Sequence, residues 1–294
     1  KFDSFMRYPD IGFLGFGEAA ACIAEGLTIA GNLQITAFDI HPRPNQNGVR
    51  ITQSIEDMLK SSDIVFSAVT CTVAIDAARQ AAPYLTDKKI FVDINSVSPE
   101  TKITIGNIIK NSGALYVEAA IMAAVPSLKH KVPMLLSGKA AGGFIDAMEP
   151  HGMKLENLGP DLGRASAIKM FRSIIVKGME ALFQECILGA EHYGVAKKVL
   201  DSISDGFSGS NWDQMAHYLI GRTALHGERR AHEMKEVAST LRTIGVEPLM
   251  TEAAEKRIQW AAKKGLKDYF SENAPDDYRE VMRAIQEFDD KKWE

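Results

Sequence analysis

A glycine-rich turn between an apolar run and a run of small residues constrains this chain more than any other feature. The segment reads Ile11-Gly12-Phe13-Leu14-Gly15-Phe16-Gly17-Glu18-Ala19-Ala20 and continues Ala21-Cys22-Ile23-Ala24. A second apolar run, Ile35-Thr36-Ala37-Phe38, ends in Asp39. Strand, turn of the G-x-G-x-x-A kind, helix, and strand tipped with a carboxylate follow one another in the order that binding a dinucleotide requires. Gly15 lets the chain leave the strand sharply, Gly17 lets a pyrophosphate approach the backbone, and Ala20 keeps the helix close to the sheet. The N–H groups that open the helix lack intrahelical partners and face an anion. Gly15, Phe16, Gly17, Glu18 and Ala19 are therefore the predicted phosphate cradle, and Asp39 the predicted acceptor for ribose hydroxyls. The bland alternative, a tight turn with no ligand, leaves the flanking strands and the acid unexplained. A carboxylate at Asp39 repels a 2′-phosphate, which favours NAD over NADP. Arg43 would reverse that preference if it folded over the ribose.

The rest of the first half alternates short apolar runs with helical stretches. A Pro/Asn-rich loop, His41 to Gly48, is followed by Ser54-Ile55-Glu56-Asp57-Met58-Leu59, which begins like a capped helix. Asp63 to Val69, Ile90 to Asn95, Ala114 to Ala120 and Pro133 to Gly138 read as strands, with helices over Val73–Ala82 and from Ser98-Pro99 onward. Apolar runs without alternation imply strands covered on both faces. Their interleaving with helices implies a doubly wound parallel sheet, a Rossmann α/β domain. Beyond Gly163 the pattern is helical: Ser166 to Tyr193 as one long helix, then Lys197–Ile203, Trp212–Lys235 with some interruption, Val237–Ile244, Thr251–Lys264 and Asp276–Phe288. The expected organisation is a dinucleotide-binding domain over residues 1–163 and an all-helical substrate and dimerisation domain over 164–294, entered by the long helix.

Composition excludes several classes of function. The 294 residues are 46% hydrophobic and 24% charged, with net charge −4, so no basic surface argues for nucleic acid. No apolar run of about 18 residues free of charge argues for a membrane span, and no N-terminal signal is seen. Cys22, Cys71 and Cys186 are few, odd in number and far apart, as in a reducing cytoplasm, and each is expected as a buried small hydrophobe. No two of the seven histidines have the i,i+4 spacing of a helical metal site, so no metal is expected. His217 and His226 read as structural or hydrogen-bonding residues.

Four blocks in order carry a resemblance that spans nearly the whole chain. Gly12-Phe13-Leu14-Gly15-Phe16-Gly17-Glu18-Ala19 is similar to G-F-I-G-L-G-x-M-G. Asp93-Ile94-Asn95-Ser96-Val97-Ser98-Pro99 is similar to D-x-S-T-x-S-P. Gly159 to Lys169 is similar to a G-x-G-x-x-x-K block, and His232-Glu233-Met234 ahead of Gly245-Val246 to K-D-L ahead of G-V-P. The chain thus resembles the β-hydroxyacid dehydrogenase superfamily, which includes 3-hydroxyisobutyrate and 6-phosphogluconate dehydrogenases. The resemblance implies an NAD(P)-dependent dehydrogenase of a β-hydroxy acid, a homodimer through interlocked helical domains, and Lys169 as catalytic acid/base. The departures point to a branch with a rebuilt substrate cradle. Asn95 replaces a serine, and the stretch D-A-P-V-S-G-G becomes Glu118-Ala119-Ala120-Ile121-Met122-Ala123-Ala124. Arg172 and Ser173 replace asparagines, and His232 replaces a lysine.

A lysine acts as a base only when neutral, so its pKa must fall. Burial among Ile168, Met170, Phe171, Ile174 and Ile175, and Arg172 nearby, would both lower it. Against this stands a plainer reading, in which Lys169, Arg172, Ser173, Glu180 and Gln184 form the wet stripe of a long helix. Arg172 suits a substrate carboxylate through its planar fork, and equally suits a surface ion pair. Asn95 and Ser96 follow a strand end where ligands gather, and could equally cap the helix before Pro99. Val69 and Thr70 are predicted to line the cofactor through their backbone. Met122, Ser173 and His232 complete the expected substrate contacts. Phe171, Phe207, Trp212 and Tyr218 could enlarge a substrate pocket, or serve as core or interface. Two rival functions remain open: oxidative decarboxylation of the 6-phosphogluconate dehydrogenase type, with Glu118 or His232 as proton donor, and a non-catalytic nucleotide-sensing dimer.

Overall fold

The computed structural model describes residues 8–41, 48–192, 194–206, 212–243, 247–271, 273, 275 and 277–290. Arg43, Phe207 and Gly245-Val246 lie outside the described residues, as do the side chains of Gln184, Cys186 and Trp212. The chain divides into two compact units, Lys1–Met170 and Phe171–Glu294.

The first unit carries strands β1 (Ile11–Leu14), β2 (Ile35–Phe38), β3 (Val49–Ile51), β4 (Ile64–Ser67), β5 (Ile90–Asp93), β6 (Leu115–Ile121), β7 (Pro133–Ser137) and β8 (Lys154–Asn157). Helices α1 (Glu18–Ala30), α2 (Ile55–Lys60), α3 (Ala74–Ala81), α4 (Pro99–Asn111), α5 (Val125–Leu128) and α6 (Ala141–Met148) lie between them. The sheet order is β3-β2-β1-β4-β5-β6-β7-β8. Successive side chains of each strand enter opposite layers, which explains the continuous apolar runs. Ile64, Phe66, Ile90 and Val92 pack on one face, and Val65 and Phe91 on the other. Phe66 stacks on Phe13 at 5.2 Å between ring centroids and meets Phe144 of α6 edge-on at 5.7 Å. The capped start read at Ser54 is present, and Ser98 caps the helix that begins at Pro99. Ser54 Oγ accepts the Asp57 N–H at 3.1 Å, and Ser98 Oγ accepts the Thr101 N–H at 3.1 Å.

The sheet differs from the sequence reading at its edges. β6 and β7 pair antiparallel, while the other neighbours run parallel. Only a single turn, α5, and a 3-10 turn separate β6 from β7, too little chain for the crossover that a parallel return needs. β3 and β8 were not legible as strands because β3 is only three residues long and β8 is short and mostly polar; the charged side chains on these edges resist pairing with other chains.

The second unit contains most of α7 (Arg164–His192), with α8 (Ala196–Gly206), α9 (Trp212–Thr243), α10 (Leu249–Ala262), α11 (Leu266–Tyr269) and α12 (Tyr278–Asp290). Its core includes Phe183, Ile187, Leu200, Leu219, Ile220, Tyr278, Val281 and Ile285. The break expected near Lys235–Val237 is absent. α9 runs on to Thr243, and its one irregularity is at His226, with φ −122° and ψ 19°. Beside it, Gly227 allows close approach to α10, since a Cβ there would come within 2.9 Å of the Ala262 Cβ. His217 is a hydrogen-bonding residue, its Nδ1 accepting the Tyr278 N–H at 3.0 Å where α12 begins.

Candidate active site

At the end of β1 the backbone turns through Gly15 at φ 85°, and a Cβ there would come 2.6 Å from the Ala68 carbonyl oxygen. The loops after β1 and β4 therefore touch where the strand order reverses, the place at which open α/β sheets bind ligands. Gly17 differs: a Cβ there would meet nothing within 4 Å. The space above Gly17 is open on the side that the glycine clears. Gly17 also serves as the N-cap of α1, and no side chain caps that terminus. An open glycine and an uncapped helix start fit a pyrophosphate. Asp39 braces this loop from β2. Its Oδ2 accepts the Phe16 N–H at 2.6 Å and its Oδ1 accepts the His41 N–H at 2.8 Å.

The next two strand ends are tied together below the surface. The Asn95 amide is buried, its Oδ1 accepting the Val69 N–H at 2.7 Å and its Nδ2 donating to Ser67 Oγ at 2.9 Å. Asn95 thus sets the backbone of Val69 and Thr70. Neither Asn95 nor Ser96 caps α4; Ser98 does. Beneath this loop, Asp93 and Lys102 form a sealed ion pair at 2.9 Å. Tyr116 donates its hydroxyl to Asp93 at 3.0 Å. Burial, and then the Asp93 carboxylate, push the Tyr116 phenol well above its usual pKa. Lys102 escaped the sequence reading, although its spacing to Ile105, Gly106 and Ile109 places it on the buried face of α4.

The first turns of α7 bring Lys169 to this edge, where Nζ donates to Ser96 Oγ at 2.7 Å. Lys169 is half-buried, and the apolar shelter expected around it is incomplete. Met170 is buried, but Ile168, Phe171 and Ile175 are 43%, 39% and 64% exposed. Met122 follows β6 and is half-buried, its N–H bonded to the Pro133 carbonyl at 2.9 Å. Glu118, one of the two proton donors considered for decarboxylation, is fully buried, with both carboxylate oxygens turned to the start of α7.

Arg172, Ser173 and His232 belong to the second unit; Arg172 is exposed and the other two are half-buried. The wet-stripe reading of α7 fails at Glu180. Glu180 is fully buried and grips Arg230 of α9 through two hydrogen bonds, and Lys177 meets Glu233 at 2.5 Å. Burial, partly offset by Glu233, lowers the pKa of Lys177. The outward side of α7 is instead apolar, with Phe171, Ile175 and Leu182 exposed. Tyr218 is also exposed, and its hydroxyl accepts from Arg222 at 2.6 Å. Cys22 and Cys71 are half-buried rather than fully buried, because each sits at the rim of a core layer. Among the described residues no group of three or more histidine, cysteine, aspartate or glutamate side chains could hold a metal, and no helix is long and apolar enough to cross a membrane.

Known proteins align with this arrangement. The family described as NADP oxidoreductase, coenzyme F420-dependent, matches residues 10–96, and the domain of unknown function DUF1932 matches residues 190–261. A conserved hypothetical protein from Sinorhizobium meliloti is 33% identical, with TM-score 0.75 over 97% of this chain and 99% of that one. A conserved protein whose structure was described as similar to 3-hydroxyacid dehydrogenases is 32% identical, with TM-score 0.69 over 87% of this chain and 99% of that one. Chloroplastic glyoxylate/succinic semialdehyde reductase 2 of Arabidopsis thaliana is 28% identical over 211 residues, 67% of this chain and 58% of that protein. Given this likeness along nearly the whole chain, the chain belongs to the β-hydroxyacid dehydrogenase superfamily, in a poorly characterised branch.

Proposed function

We propose that the chain is an NAD(P)-dependent oxidoreductase that transfers hydride between the nicotinamide and the hydroxyl carbon of a β-hydroxy acid, with Lys169 as acid/base. The observation that carries this reading is the 2.7 Å hydrogen bond from Lys169 to Ser96 at the ligand-binding edge of the sheet. When bound, the dinucleotide supplies the hydride acceptor or donor. Ser96 fixes the direction of the Lys169 amine. In oxidation the neutral amine takes the proton of the substrate hydroxyl, and in reduction the ammonium returns it. Gly15, Phe16, Gly17, Glu18, Ala19, Val69 and Thr70 hold the cofactor through their backbone, and Asn95 acts through Val69. Ser96, Met122, Arg172, Ser173 and His232 contact the substrate. Asp39 favours NAD, so Asp39→Ala should raise the NADP/NAD ratio of kcat/KM; an unchanged ratio removes Asp39 from cofactor choice.

Glu118 faces α7 rather than open space, which leaves His232 as the proton donor that decarboxylation would use. A homodimer is favoured by the outward apolar residues of α7. Turnover of a hydroxy-acid panel with NAD and NADP, in wild type and Lys169→Ala, tests the enzymatic reading. Reduction of the dinucleotide by wild type, lost about a hundredfold or more in the variant, supports it. Tight dinucleotide binding with no turnover across the panel supports a nucleotide sensor instead.

A further inference from the structure

We infer that Glu118 is a positioning residue that fixes the Lys169-bearing turn of α7 against the Ser96 loop. The inference rests on the proposed role of Lys169. Glu118 lies in β6, in register with Asp93 on one side and Ser137 on the other. Its Oε2 accepts the Gly163 N–H at 2.5 Å and its Oε1 accepts the Ser166 N–H at 2.7 Å, while Ser137 Oγ accepts the Ala165 N–H at 3.2 Å. Three N–H groups at the start of α7 thus converge on two neighbouring strand residues.

A buried carboxylate is costly unless it is paired or fully hydrogen-bonded. Asp93 has Lys102. Glu118 has no ion-pair partner among the described residues and takes the positive end of a helix instead. A local cap would satisfy the same N–H groups; Asp161 sits just ahead of the helix and is exposed. The acceptor comes instead from 45 residues earlier in the chain, so the capping bonds also dock the helix on the sheet. Lys169 lies one turn beyond the docked residues, and its bond to Ser96 closes the connection back to the end of β5. The fixed turn and the fixed loop leave the amine little freedom.

The test needs no substrate, so its failure is separate from failure of the dehydrogenase reading. Reductive methylation of Lys169 with formaldehyde and cyanoborohydride, followed by peptide mass spectrometry across pH, reports the amine. Amide hydrogen exchange reports Gly163 to Ser166. The variants are Glu118→Gln, Ser137→Ala and Ser96→Ala in the full chain. In Glu118→Gln the amides should exchange at least about tenfold faster, and the pH midpoint of Lys169 methylation should move in the same direction as in Ser96→Ala. Ser137→Ala should give a smaller change of the same sign and carries the test if Glu118→Gln does not fold. Faster exchange with an unchanged Lys169 profile would make Glu118 a helix cap only, and no change in either measurement would also overturn the inference.

Discussion

Lys102 Nζ lies 2.9 Å from Asp93 Oδ1, and both side chains are sealed from solvent at the base of the loop that presents Ser96. The same amine also donates to the Asp93 carbonyl at 2.7 Å. A pair this deep gives little net stability over an apolar replacement, but losing one partner strands the other. Lys102→Met should therefore destabilise the first unit by about 3–5 kcal/mol. Hydrogen exchange at Ile94, whose N–H is bonded to the Ser67 carbonyl, should be faster by about a hundredfold or more. A change below about tenfold would mean that Tyr116 and the Asn95 N–H suffice to hold Asp93.

Two glycines of one turn should separate binding from folding. Gly17→Val introduces a side chain into open space at a backbone conformation with φ −73°, so thermal stability should stay within about 0.5 kcal/mol while dinucleotide affinity collapses. Gly15→Ala should lower stability, because its φ of 85° and the Ala68 carbonyl both oppose a side chain. Calorimetric titration with NADH beside a melting curve reads both quantities. Unimpaired binding by Gly17→Val would remove the phosphate cradle from this turn.

His130 is buried against α1, with Nδ1 unpaired among the described residues. Burial, and then Lys131, depress its pKa, partly offset by a hydrogen bond to the His151 backbone. Lys129 lowers it further and is itself bonded to Glu25 of α1 at 2.6 Å. A histidine held neutral in the fold stabilises it fully above the unfolded value of about 6.5, and that contribution is lost as the pH falls below it. The melting temperature should therefore drop as the pH falls below about 6.5, and His130→Gln should flatten that part of the curve. Parallel curves for the two proteins would clear His130 of the effect.

Ile175 is 64% exposed on the outward side of α7. A charge there should break the proposed homodimer while leaving the helical core intact. Ile175→Glu is expected to run as a monomer by light scattering at concentrations where wild type is a dimer, with unchanged helical circular dichroism. A monomeric wild type, or a variant that still dimerises, would remove this face from the interface.

The glycine turn, Asp39 and the main strands were legible because backbone geometry and burial impose strict residue patterns there. Ser54 was legible as a cap for the same reason, whereas the cap before Pro99 was read as Asn95 or Ser96 and is Ser98. β3 and β8 were not, since an edge strand need not be apolar. The buried charges were harder still. Glu180 and Lys177 occupy polar positions on α7, and a helical wheel reads such positions as wet; only the opposing Arg230 and Glu233 turn them inward. Glu118 was visible as an acid in an apolar strand, but its partners are backbone N–H groups, which no sequence pattern identifies.

The division of the chain falls at Met170, inside α7 and just after Lys169. The proposed base therefore belongs to the same compact unit as the glycine turn. Recombination downstream of this point exchanges the helical half and with it Arg172, Ser173 and His232, while the lysine and its serine stay together. A crossover at the end of β8 would instead separate that pair. On the proposed roles, the fold has a seam at which substrate preference could diversify while Lys169 and Ser96 stay together.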